Sequence, residues 1–154
     1  MPSRPRKKPY QKKSFESTGV ASDTSANIYM SMRMSAAWKE LTAKQRDLYS
    51  CCKAQYYAEK RKPNDNPLAF TMNQSKWCSL YGLYTINNHR MFYRDMTVLI
   101  EKGFVVCLEC GNTTRTKSIY AFSDKWQRYG TEAFEVLPNE MTSSMLRKLR
   151  KEKT

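Results

Sequence analysis

The chain has 154 residues, 40% of them hydrophobic and 12% aromatic, with 27 Lys and Arg against 14 Asp and Glu for a formal net charge of +13. That is the size of one domain with short extensions, too apolar to be wholly disordered, and no run approaches the roughly 18 apolar residues that a membrane helix needs. Five glycines and one histidine argue against glycine-loop nucleotide enzymes and histidine-based catalysis, while the positive excess points to a polyanionic partner.

The charge is concentrated at the two ends. Residues 1–13 contain Arg4, Arg6, Lys7, Lys8, Lys12 and Lys13 and no acid, and residues 147–154 contain Arg147, Lys148, Arg150, Lys151 and Lys153 against Glu152. With Pro2, Pro5 and Pro9, the first segment reads as a disordered basic arm, continued by a Ser- and Thr-rich linker, so that residues 1–26 form a flexible extension. Its six cations suit sequence-independent tethering to phosphates, which raises affinity without reading bases; an aid to solubility is the plainer use of such a tail. No apolar stretch follows the basic start, so no secretory leader is expected, and the odd count of five cysteines fits a reduced, cytoplasmic compartment. Cys107-Leu-Glu-Cys110 has the spacing of half a metal site, yet Cys51, Cys52, Cys78 and His89 supply no matching pair, so the thiols are read as reduced residues with no metal and no cofactor.

In chain order, the alternation of Ile28, Met30, Met32 and Met34 suggests a short strand or an extended lead-in, and residues 35–41 one or two helical turns around Trp38. Thr42 and Gln45 have capping-box spacing and open a helix to about Glu59, with Leu48, Cys52, Gln55 and Tyr56 on one face. The turn residues of 61–67 stop it, and 68–72 reads as a short strand. Asn73 then caps a short helix through about Leu80, with Gly82 just past its end. A second helix runs from Asn87 or Asn88 to Lys102, burying Phe92, Met96, Leu99 and Ile100 and stopping at Gly103. Residues 104–108 and 117–122 read as the two strands of a hairpin with a polar tip. Residues 123–126 cap a last short helix, and after Pro138 a basic helical segment spans Thr142 to Lys151.

Helix, short strand, helix, turn, helix and hairpin is the order of a winged helix-turn-helix. The predicted fold is therefore α+β, with a two- to three-stranded antiparallel wing, a DNA-binding domain over residues 27–130, and a linker with a basic helix over 131–154. In such a fold the second helix of the pair enters the major groove, about 12 Å wide, with one face held by the core. Asn87, Asn88, His89, Arg90, Tyr93, Arg94 and Thr97 are the expected readers, since Asn pairs with adenine and Arg with guanine. Asn73, Gln74, Ser75 and Lys76 open the preceding helix with groups that suit a phosphate. Asn112, Thr113, Thr114, Arg115 and Lys117 give the hairpin tip only polar and basic groups. The plainer readings are a solvated face for the arginines, an ordinary helix start for His89, and core or rim positions for the tyrosines. The acids are scattered, with Asp95 and Glu101 single on their helix, so no metal-dependent nuclease is expected and the chain is read as non-enzymatic. No stretch reads as an effector pocket.

The run Ala37-Trp38, Leu41-Thr42, Gln45, Leu48-Tyr49 and Lys53, followed by Gly103-Phe104, Gly111, Thr114-Arg115 and 119–126 (IYAFSDKW), resembles small winged-helix proteins of Gram-positive conjugative plasmids, integrative elements and phages. These include replication-initiator DNA-binding domains and relaxosome accessory proteins. The resemblance spans about residues 27–127. It implies double-stranded DNA binding at an origin of replication or transfer, with residues 88–102 as reader and 111–117 as wing. A relaxase or replication protein and a second copy of the chain on DNA are the implied partners, and no membrane is involved. A transcriptional regulator of the same element, or an adaptor that uses the fold for protein contacts, are the alternatives.

Overall fold

A computed structural model describes residues 13–16, 19–20, 26–72, 81–111 and 118–154. The expected helix at 73–80 with Asn73, Gln74, Ser75 and Lys76, the hairpin tip with Asn112, Thr113, Thr114, Arg115 and Lys117, and the arm cations Arg4, Arg6, Lys7, Lys8 and Lys12 lie outside the described residues.

The architecture is mixed α+β. The described helices are α1 (Met30–Arg33), α2 (Ala36–Lys39), α3 (Ala43–Ala58), α4 (His89–Glu101) and α5 (Ser143–Glu152), and the strands are β1 (Ala69–Thr71), β2 (Val105–Glu109) and β3 (Ile119–Phe122). Short 3-10 turns at Pro63–Asp65, Ile86–Asn88, Lys125–Arg128 and Pro138–Glu140 connect them.

One expectation fails at the start. The alternating methionines form neither strand nor extended lead-in: the N–H groups of Met32 and Arg33 both donate to the Tyr29 carbonyl at 3.1 Å, closing a helical turn. With its hydrogen bonds satisfied locally, the segment needs no strand partner, and of the three methionines only Met32 is buried. Ser35 then caps α2 by accepting from the Trp38 N–H at 3.2 Å. The capping box of α3 closes in both directions, Gln45 N–H to Thr42 Oγ1 at 3.2 Å and Thr42 N–H to Gln45 Oε1 at 3.0 Å. Leu48, Tyr49, Cys51 and Cys52 face inward, while Gln55 and Tyr56 are only half-buried.

The three strands are antiparallel in the order β1-β3-β2, with Phe70 opposite Tyr120 and Cys107 opposite Tyr120 on the other side. A register shift between Cys107 and Glu109 leaves Leu108 as the bulged, exposed residue. Where the sheet meets α2 and α3, Trp38, Tyr49 and Phe104 pack edge-on or tilted with ring centroids 5.2–5.9 Å apart, and Trp126 stacks on Phe104 at 6.2 Å. Gly103 joins α4 to β2 at φ +87°, and a Cβ there would lie 2.6 Å from the Trp126 backbone nitrogen.

The segment after β3 folds back onto the domain. Lys125 pairs with Glu140 at 2.5 Å, Phe134 meets Tyr129 edge-on, and Val136 and Met145 pack against the core. This brings α5 to face α4 across an open cleft that both helices line.

Candidate nucleic-acid interface

The candidate interface is built on α4. Phe92, Met96, Leu99 and Ile100 recur at helical spacing and are all buried, as the period of the sequence requires. Between them, at the same face, stands Asp95, only 5% exposed. Its carboxylate accepts from the Tyr84 hydroxyl at 2.6 Å and from Gln45 Nε2 at 3.1 Å. Tyr84 also meets Phe92 edge-on at 5.7 Å. The helix is thus held in rotation by an apolar stripe and by a carboxylate clamped between α3 and the turn that precedes α4. Burial, and then the bond to Asp95, push the Tyr84 phenol far above its ordinary range, so it remains a donor.

Fixing that face determines the opposite one. Arg90, Arg94, Thr97 and Glu101 follow at intervals of four, three and four residues, a single outer stripe. Arg90 and Arg94 are exposed, as are Asn87, Asn88 and His89 at the start of the helix. Asn88 makes no side-chain cap hydrogen bond. His89 stands edge-on to Tyr93 at 6.4 Å, and Tyr93 is half-buried with its phenol raised by burial. Ion pairs among the described residues include Lys102–Glu40, Lys125–Glu140 and Arg128–Asp124. None uses Arg90 or Arg94, so neither guanidinium is neutralised by a described neighbour.

The second half of the stripe has different surroundings. Thr97 is half-buried, with its hydroxyl donated to the Tyr93 carbonyl at 2.9 Å. Thr97 and Glu101 form one wall of an open cleft of about 390 Å³, whose other walls come from Val136, Met141 and the Met145 and Leu149 side of α5. This cleft was not expected from the sequence, which shows no pocket-forming pattern because its walls meet from segments distant in the chain. Asn87, Asn88, His89, Arg90 and Arg94 are thus exposed at the first half of α4, and Thr97 is set apart from them at the cleft.

Beyond α4, β2 and β3 form the antiparallel hairpin, and at its far end the Gly111 N–H donates to Ser118 Oγ at 2.9 Å. Lys13, the one arm cation among the described residues, is exposed. Cys107 is buried in the core and its thiol is pushed up to about 12 by burial, which keeps it protonated as a packing residue rather than a thiolate. Among the described residues, no group of three or more His, Cys, Asp or Glu is arranged to hold a metal ion. No helix among them is long and apolar enough to cross a membrane.

Reading residue by residue missed Gln45 and Tyr84 as positioning groups, and took Asp95 as a solitary acid. The signal was present in one respect: Asp95 falls three residues after Phe92 and four before Leu99, on the buried face, where an acid must have donors. It also missed Lys44, whose ammonium lies 4.5 Å from the centroid of the Tyr84 ring and brings another cation to the turn before α4.

No protein-family model matches the chain, and no curated protein or solved structure matches it.

Proposed function

We propose that the chain is a non-enzymatic, sequence-specific double-stranded DNA-binding protein with a winged helix-turn-helix fold. In this reading the first half of α4 enters the major groove, with Asn87, Asn88, Arg90 and Arg94 facing base edges, and the β2–β3 hairpin rests on the backbone or in the minor groove. The observation that carries the proposal is the pairing of a rotationally fixed inner face, Phe92–Asp95–Met96–Leu99, with two exposed arginines on the outer face that have no ionic partner among the described residues. A reader helix needs both: a rigid seat, so that side chains meet bases in register, and long planar donors that are not already neutralised. The order of α3, β1, α4 and hairpin and the net charge of +13 support the same reading.

The resemblance to winged-helix proteins of mobile elements supports action at an origin of replication or conjugative transfer, in the cytoplasm, with a relaxase or replication protein as partner and a second copy of the chain on an adjacent half-site. A transcriptional regulator of the same element is the second reading. The cleft between α4 and α5 favours it, since an occupant there would touch the reader helix directly.

Capture of DNA fragments on the full-length chain, followed by sequencing and footprinting of the enriched pieces, tests the proposal. Protected repeats at an origin support the first reading, and protected promoters the second. Recovery of fragments without any sequence preference contradicts sequence-specific binding.

A further inference from the structure

α5 begins at a defined cap, with the Met145 N–H donating to Thr142 Oγ1 at 3.3 Å, and Met145 packs on the core. Ser144, Met145, Lys148, Leu149 and Glu152 line the cleft opposite Thr97 and Glu101 of α4. At about 100° per residue, that face leaves Arg147 and Arg150 on the far side of the helix, with Lys151 and Lys153 on its two flanks. All four are exposed, and none forms an ion pair with a described residue. The basic C-terminus is therefore a helix anchored to the core through Met145, with a solvent-facing cationic edge, standing across an open cleft from the second half of the outer stripe of α4.

That placement divides the labour along α4. Helix-turn-helix readers reach base edges with the N-terminal end of the recognition helix, which here is the open, arginine-bearing half. The other half shares its cleft with α5. We infer that α5 is a phosphate clamp: Arg147, Arg150 and Lys151 hold the sugar–phosphate backbone of duplex DNA alongside the groove that the first half of α4 enters. The inference rests on the duplex-binding reading of α4 and adds to it a second, sequence-blind contact at a fixed position. Cations directed to solvent from a packed helix suit this role, since binding a phosphate releases counterions at little ordering cost.

The test is the salt dependence of binding of the full-length chain to a random-sequence duplex oligonucleotide, compared with the triple variant R147Q/R150Q/K151Q. All three side chains are exposed, so the variant is expected to keep the wild-type thermal melt. The slope of log Kobs against log salt should become shallower by about 2.7, each phosphate no longer neutralised accounting for about 0.9. The charge-keeping variant R147K/R150K/K151R should retain the wild-type slope. A triple-glutamine slope equal to that of the wild type overturns the clamp while leaving wild-type duplex binding, and with it the α4 reading, in place. A loss of slope in the charge-keeping variant also overturns it, because charge would then not be the cause. A wild-type chain that binds no duplex at low salt removes the α4 reading and the clamp together.

Discussion

The Tyr84 hydroxyl donates to Oδ2 of Asp95 across 2.6 Å, and the other oxygen of the same carboxylate accepts a hydrogen bond from Gln45 Nε2. Gln45 is also the far member of the α3 capping box, its Oε1 accepting from the Thr42 N–H. One side chain thus closes the start of α3 and reaches the inner face of α4, and the direction of Arg90 and Arg94 depends on this join. A buried carboxylate is tolerated here because two side-chain donors, the Tyr84 hydroxyl and the Gln45 amide, replace water.

Tyr84→Phe should therefore cost about 2 kcal/mol, the range for a hydrogen bond to a charged group, with the ring packing on Phe92 retained. Asp95→Ala should cost about 3 kcal/mol or more, since it strands both the Tyr84 hydroxyl and the Gln45 amide. Urea denaturation of the two variants measures both. A Tyr84→Phe protein as stable as the wild type would show that the bond does not secure α4.

Arg90→Ala with Arg94→Ala removes two exposed guanidiniums that form no ion pair with a described residue. Stability should remain within about 0.5 kcal/mol of the wild type. Discrimination between the captured site and random duplex should fall by about 1–3 kcal/mol for each bidentate arginine–guanine pair removed. Competition gel shifts report this ratio, and an unaltered ratio would reject these two residues as readers.

Alkaline pH should destabilise the fold. Burial pushes the Cys51 thiol up to about 11 and Cys107 up to about 12, and holds Cys52 well above the ordinary 9.0. Burial likewise raises the phenols of Tyr49, Tyr84 and Tyr120 above their ordinary 10.0. In the unfolded chain these groups lose protons first, so the native state binds more protons and stability falls as pH rises. These groups leave stability flat below about pH 8, and above pH 9 it declines by up to about 1.4 kcal/mol per pH unit for each fully buried thiol. Urea midpoints measured from pH 7 to 11 follow the decline; a midpoint that does not move across that range would mean that the thiols and phenols are not held in the core.

Gly103 stands at φ +87°, where a Cβ would meet the Trp126 nitrogen at 2.6 Å, the Lys125 carbonyl carbon at 2.7 Å and Phe134 Cε2 at 2.8 Å. Two of these atoms are backbone and cannot rotate away. Gly103→Ala should lose about 3 kcal/mol or more, from the left-handed conformation and the overlap together, and a thermal melt close to that of the wild type would contradict the tight approach of residues 125–134 to the α4–β2 joint.

Elements with strong local signals were legible in the sequence. The period of Phe92, Met96, Leu99 and Ile100 marks α4, the spacing of Thr42 and Gln45 marks the start of α3, and Gly103 marks a stop, because each depends on residues close in the chain. The turn at Met30–Arg33 was misread because nine residues of alternating methionines carry no turn chemistry, and one buried contact, Met32, decides the outcome. The role of Asp95 was hidden because its partner Gln45 is 50 residues away. The cleft beside Thr97 was hidden for the same reason, since only the folding back of residues 131–142 brings α5 to α4. At the candidate interface, residue types were readable where exposure follows from the helical period, as for Arg90 and Arg94, and not where a distant segment covers the helix, as for Thr97.

The most direct test of the central claim is a heteronuclear NMR titration of the full-length chain with a captured duplex. DNA binding through the first half of α4 predicts that backbone and side-chain shifts concentrate on residues 87–94, with the Arg90 and Arg94 guanidinium signals moving and the buried Phe92 and Met96 environments retained. Shifts that spare 87–94 while the duplex binds elsewhere would contradict it.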